Sequence, residues 1–208
     1  MGKQTIEYCS LQYMNLWIKN DALCVKALSE PDENEKLLAL KKAAKFYSVA
    51  RNLPLKYEEE KKLKRYEPVM RILDKVSTRE IQKNTVEYIH QIEREISEAY
   101  GNRGVLSLTT KFLWLKEKSP VIIYDSQVKK ALKVKKVDTL EAFYNEWHNE
   151  FEKQKNNIKE ACSNLASLHK YVHTENNQIY KGEIEKLTAQ TWFHWRVFDT
   201  YLWNKGNS

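Results

Sequence analysis

Apolar residues recur at helical spacing along most of this chain. In residues 5–28, Leu11, Met14, Trp17, Ile18 and Leu28 stand among polar positions. That predicts a helix, with Asn20-Asp21 as a break or restart. Ser29-Glu30-Pro31-Asp32 reads as a turn, and Pro31 suits the first turn of the next helix. Leu37, Leu40, Ala44 and Tyr47 form a stripe that predicts a helix over 35–50, ended by Asn52-Leu53-Pro54. Residues 57–64 are mostly charged and read as a solvated helical face with Glu-to-Lys pairs. Ser77-Thr78-Arg79-Glu80 has the form of a capping box. The helix it opens is expected to reach Ala99, with Ile81, Thr85, Tyr88, Ile89, Ile92 and Ile96 on one face and Gly101 as its stop.

Between Gly101 and Leu132 the pattern changes. A loop, Gly101-Asn102-Arg103-Gly104, leads into a short amphipathic helix over 106–115. Ser107, Thr110 and Lys111 oppose Leu108, Phe112, Leu113 and Leu115 there. Residues 116–120 connect to a buried extended tetrapeptide, Val121-Ile122-Ile123-Tyr124, and Asp125 then opens a helix through Leu132. A second capping box, Asp138-Thr139-Leu140-Glu141, starts a long helix that buries Leu140, Phe143, Tyr144, Trp147 and Phe151, then Ile158, Ala161, Leu165 and Leu168. Weakly apolar residues 153–157 mark a break or a bend. Asn176-Asn177 and Gly182 mark a last loop. The final helix, over 184–204, carries Trp192, Phe193, Trp195, Phe198, Tyr201 and Trp203, with Arg196 and Asp199 one turn apart.

These elements predict an all-α fold: a single compact multi-helix bundle over 1–208. Its N-terminal helices fill 1–76, its centre 77–135, and the long helix and aromatic C-terminal helix 136–208. Composition supports this. Five Gly and four Pro leave few turns, while six Trp, twelve Tyr and six Phe argue against disorder. The formal charge of +7 makes nucleic acid or another anionic surface a candidate partner. Three cysteines without metal-type spacing or a signal peptide fit free thiols in a reducing cytoplasm. No apolar run approaches a membrane span, so no membrane role is expected. No P-loop, GxGxxG, HExxH or GxSxG occurs, so nucleotide-driven, zinc-protease and serine-hydrolase chemistry lacks support and no cofactor is expected. His169 and His173 are spaced as metal ligands, but no further ligands converge and no metal is expected.

Two features bear on chemistry. The Gly101–Gly104 loop exposes backbone amides ahead of a helix, as an anion site does, and is equally what a plain helix-to-helix turn needs. Asp125 is either a helix cap or a catalytic carboxylate. Lys129, Lys130, Lys133, Lys135 and Lys136 follow it in the most basic local stretch of the chain.

In this order, Gly101–Gly104, the helix over 106–115, Val121–Tyr124 and Asp125-Ser126 resemble the helix-hairpin-helix superfamily of DNA glycosylases. The resemblance is to bacterial proteins with an 8-oxoguanine-glycosylase-like fold in particular, and it covers 77–135. It implies a helix-hairpin-helix-like centre and DNA as partner. The implied activity is excision of a modified or damaged base, in repair or in defence against foreign DNA. The glycines here are three apart rather than Gly-x-Gly. The lysine nucleophile of bifunctional members falls at Leu106-Ser107, with Lys111 one turn later. A monofunctional mechanism needs only the aspartate. Asp125 and Lys111 are therefore the catalytic candidates. Gly101, Arg103, Gly104, Lys129, Lys130 and Lys133 are the candidates for holding phosphates. Trp114, Tyr124, Trp192 and Trp195 are candidate walls for a flipped base. The alternative is a non-catalytic helical module that binds nucleic acid, or a protein through the aromatic C-terminal helix.

Overall fold

Side-chain oxygens open most of the helices by accepting from amides that have no partner within the helix. In the computed structural model, which describes residues 4–53, 64–135, 139–172 and 181–207, every regular element is helical. Thr5 opens α1 (Ile6–Leu16) and Asp32 opens α3 (Glu33–Phe46). Between them a π-helical turn, Trp17–Asp21, carries the chain into α2 (Ala22–Ser29) without a break. α4 (Glu67–Asp74) has proline in its first turn. Ser77 caps α5 (Thr78–Lys83) as the sequence predicts.

Several boundaries differ from expectation. The helix expected from Thr78 to Ala99 is two helices. Asn84 is extended and accepts from the Glu87 amide, which starts α6 (Thr85–Ala99). A second cap signal, Asn84 followed by Glu87, sits inside the apolar stripe and overrides it. α3 stops at Phe46 rather than continuing to Ala50, because Ser48 takes a left-handed conformation at φ 56° and the Tyr47 hydroxyl turns to donate to the buried Asp21 carboxylate at 2.9 Å. The long helix α9 (Leu140–Asn164) is continuous through 153–157, and Thr139 accepts from its first turn. The final helix is also two pieces, α10 (Lys181–Thr188) and α11 (Thr191–Asn207). The charged run expected over 57–64, except Lys64, lies outside the described residues, as do Asp138, His173 and Asn176-Asn177.

The chain divides into two compact units. The middle unit is residues 20–123 and holds α2 to α6 and α7 (Leu106–Lys116). The sequence predicts an amphipathic α7, yet Leu108 through Leu115 are all buried, including Thr109, Thr110 and Lys111. α7 packs against α2, α3, α4 and α6, so it has no solvent face for its hydroxyl row. The terminal unit is residues 1–19 and 124–208. It holds α1, α8 (Ser126–Leu132), α9, α10 and α11. α11 is its centre and packs against α8, α1, α9 and α10, with Phe193 and Arg196 through Thr200 buried. Each unit is thus built around one helix whose central turns are buried.

Cys9, Cys24 and Cys162 are all buried in these cores. Burial pushes the Cys162 thiol up to about 12, and the Cys24 thiol, with the Asp21 charge adding, up to about 11. Thiolates form only when the protein opens. Labelling with a disulfide reagent near pH 8 is therefore expected to be slower in the native protein than in urea by on the order of 1,000-fold or more. Fast labelling of Cys24 or Cys162 in the native protein would contradict the packing described.

Candidate functional site

Asp125 follows three buried residues, Val121 to Ile123, and the half-buried Tyr124. Its backbone is extended, and its Oδ1 accepts from the Gln127 amide at 2.9 Å, which caps α8. α8 is short and is held by α11. At their crossing Gly206 is buried, and a Cβ built there would stand 2.0 Å from the Gln127 carbonyl oxygen. Lys130 Nζ donates to the Gly206 carbonyl at 2.7 Å. Lys129 is buried and its Nζ donates to the Tyr124 hydroxyl at 2.9 Å. The Tyr124 ring meets Phe143 edge-on with centroids 5.0 Å apart. Lys133 is exposed and closes α8 in a left-handed conformation at φ 59°, where the Val134 amide donates to the Lys129 carbonyl.

Behind α8, α11 carries a buried ion pair. Arg196 Nη1 lies 2.9 Å from Asp199 Oδ2, and Trp147 Nε1 donates to Asp199 Oδ1 at 2.7 Å. The Arg196 guanidinium stands over the Tyr13 ring at 5.2 Å. Burial pushes the Asp199 carboxyl up from its ordinary range. Arg196 and the two hydrogen bonds oppose that rise, while the charge of Asp125 adds to it. Asp125 and Asp199 are therefore within electrostatic reach of each other. Trp195 packs edge-on to Trp147 at 5.7 Å and to His148 at 5.6 Å, and Trp192 packs on Trp17 at 4.7 Å. Both indoles are committed to ring contacts within the terminal unit.

In the middle unit, Lys111 is 3% exposed and its Nζ donates to Ser107 Oγ at 2.7 Å. Trp114 is 1% exposed and forms part of the core. The loop after α6 is closed by its own backbone. Gly101 is left-handed at φ 84°, the Asn102 amide donates to the Ser97 carbonyl at 2.8 Å, and Ser97 Oγ donates to the Arg103 carbonyl at 2.7 Å. Gly101, Arg103 and Gly104 are exposed. With α6 this loop frames an open cleft of about 440 Å³, lined in part by His90, Glu93, Arg94, Glu98, Arg103 and Gly104. The lining presents two guanidinium groups and two carboxylates. His90 Nδ1 lies 3.5 Å from Glu93.

The candidates from sequence thus fall into both units. In the terminal unit the structure joins Tyr124 to Lys129 and Lys130 to Gly206, and makes Asp125 the cap of α8. In the middle unit it puts Arg103 and Gly104 in the cleft, and Lys111 and Trp114 in the core. Sequence reasoning missed Trp147 Nε1, Tyr13 and Arg94 as partners, because no local pattern links residues on different helices. Gly206 lies beyond the helix expected over 184–204, so its contact with Gln127 carried no signal in the sequence. Among the described residues no group of three His, Cys, Asp or Glu side chains could hold a metal ion, and no helix is long and apolar enough to cross a membrane. No family model matches the chain, and no curated protein or solved structure matches it.

A raised folded pKa means that folding favours the neutral Asp199 carboxyl. Its contribution to stability is fully present below the ordinary carboxyl range, near about 3.9, and is lost as pH rises through the raised value. In a carboxyl NMR titration Asp199 is expected to titrate above that range, with the Trp147 indole N–H shifting in step. Asp199→Asn is expected to remove this component from the pH dependence of urea unfolding. A carboxyl titrating in the ordinary range would contradict the burial described.

Proposed function

We propose that the protein binds DNA and hydrolyses the N-glycosidic bond of a modified base by a monofunctional mechanism, with Asp125 as the carboxylate at the sugar. The observation that carries this reading is the placement of Asp125. It is a half-buried carboxylate, oriented by the amide of Gln127, on a helix clamped to the central helix of its unit. As the base departs, positive charge develops on the sugar ring, and a fixed carboxylate stabilises it and can orient the attacking water. The resemblance of 77–135 to helix-hairpin-helix glycosylases supports the same assignment. Lys111, buried and bonded to Ser107, takes no part in it. With Lys129 and Lys130 engaged by Tyr124 and Gly206, the exposed Lys133 at the end of α8 is the phosphate contact assigned beside Asp125.

A second reading, a non-catalytic module, is favoured by a specific observation. Asp125 does the ordinary work of an N-cap, and Tyr8, Tyr171 and Trp203 of the terminal unit are 53%, 60% and 46% exposed, as contacts to a partner would be.

Asn caps helices as well as Asp, so Asp125→Asn removes the charge without removing the cap. The expected outcome is unchanged thermal stability and unchanged affinity for duplex DNA. Base release should fall by on the order of 100-fold or more. Duplexes carrying uracil, hypoxanthine, an oxidised guanine or an etheno adduct are the substrates to test in single turnover. Full excision by the variant would overturn the role of Asp125. No release by the wild-type protein from any of the four, with DNA still bound, would favour the non-catalytic module.

A further inference from the structure

The backbone of Gln127 does two things at once. Its N–H orients the Asp125 carboxylate at 2.9 Å, and its C=O is the atom that α11 presses against at Gly206. The Cβ of any other residue at 206 would meet that oxygen at 2.0 Å, the Gln127 carbonyl carbon at 2.7 Å and its Cα at 3.1 Å. All three are backbone atoms, so no side-chain rotation relieves the overlap. Restoring ordinary contact at about 3.5 Å needs a movement of about 1.5 Å. The Lys130 ammonium fastens the same crossing through the Gly206 carbonyl.

We infer that Gly206 is a positioning residue for Asp125. It lies far from Asp125 in sequence, near the end of α11. Because it lacks a side chain, the first turn of α8 can seat against α11, and that seat fixes where the carboxylate points. The inference rests on the reading of Asp125 as the carboxylate at the sugar, and it assigns Lys130 to the clamp rather than to DNA. A displacement of the order of an ångström in a reacting group costs on the order of 100-fold in rate.

The test compares wild type, Gly206→Ala and Lys130→Met on three readouts: affinity for duplex DNA, single-turnover base release, and the pH titration of the Gln127 amide resonance. Because Gln127 N–H donates to Asp125, its resonance follows the ionisation of that carboxylate in the wild-type protein. In Gly206→Ala the expected result is DNA affinity within about twofold of wild type, base release down by about 100-fold, and loss of the amide's response to pH. Lys130→Met adds no atoms at the crossing, so it folds whether or not the alanine variant does. It should change release and the amide response in the same direction by a smaller factor, with DNA affinity unchanged. A wild-type amide that follows Asp125, with both variants unchanged in release and amide response, would overturn the inference while leaving the role of Asp125 intact. That is the result if the last turn of α11 gives way instead of α8. Loss of DNA affinity in Lys130→Met, without change in the amide, would likewise overturn the clamp. A wild-type protein that releases no base overturns the reading underneath, and the inference falls with it whatever the amide does.

Discussion

The buried turns of a helix keep a charged side chain only when another group meets that charge within the core. Breaking such a pair leaves an uncompensated ion and costs about 3–5 kcal/mol. α11 runs through the terminal unit under this constraint. Its Arg196 is held by Asp199 and the face of Tyr13, and Asp199 is held by Arg196 and the indole of Trp147. Those contacts tie α1, α9 and α11 together at one point. The rings around it, Phe151, Trp195 and Phe198 about Trp147, fill the space that the polar groups leave. α7 meets the same constraint in the middle unit with shorter reach, since Lys111 bonds to Ser107 one turn earlier and Thr110 to the Ser107 carbonyl.

The position of α8 follows from that core. A helix of seven residues has little stability of its own and takes its place from what it packs against. α11 supplies that surface, through a glycine where the two backbones meet and a lysine that bonds across the meeting point. Two of the three lysines that sequence offers to DNA are consumed in this way. Lys129 holds Tyr124 and Lys130 holds α11, so the basic run after Asp125 is largely structural. Asp125 is left as a half-buried carboxylate on a rigid seat.

Helical class and most helices were legible because apolar spacing and caps report on neighbours within four residues. Ser77 and Asp125 cap where expected. The break at Asn84 was hidden because the apolar stripe runs on through it, although Asn84 and Glu87 carry a cap of their own. The full burial of α7 was not legible: Ser107, Thr110 and Lys111 look like a solvent face until four other helices are packed around them. At the site, Asp125 and the Arg196–Asp199 spacing could be read from sequence. The partnership of Trp147 with Asp199 and the contact of Gly206 with Gln127 could not, since the partners lie 52 and 79 residues apart. Gly101 and Gly104 divide in the same manner. Gly101 is left-handed as a helix-ending glycine is, whereas Gly104 has no such backbone, and a Cβ at either would meet nothing within 4 Å.

The most direct measurement is a fluorescence-anisotropy titration against duplex DNA carrying an abasic-site analogue, and against the same duplex without it, across a range of salt concentrations. A base-flipping protein binds the abasic duplex more tightly, because the unstacking cost is already absent. Its affinity also falls linearly on a log–log salt plot as phosphate contacts release counterions. Preference for the abasic duplex with that salt dependence is the expected result. Equal binding of the two duplexes, or no binding at low salt, would contradict the assignment of Asp125 to a flipped nucleotide.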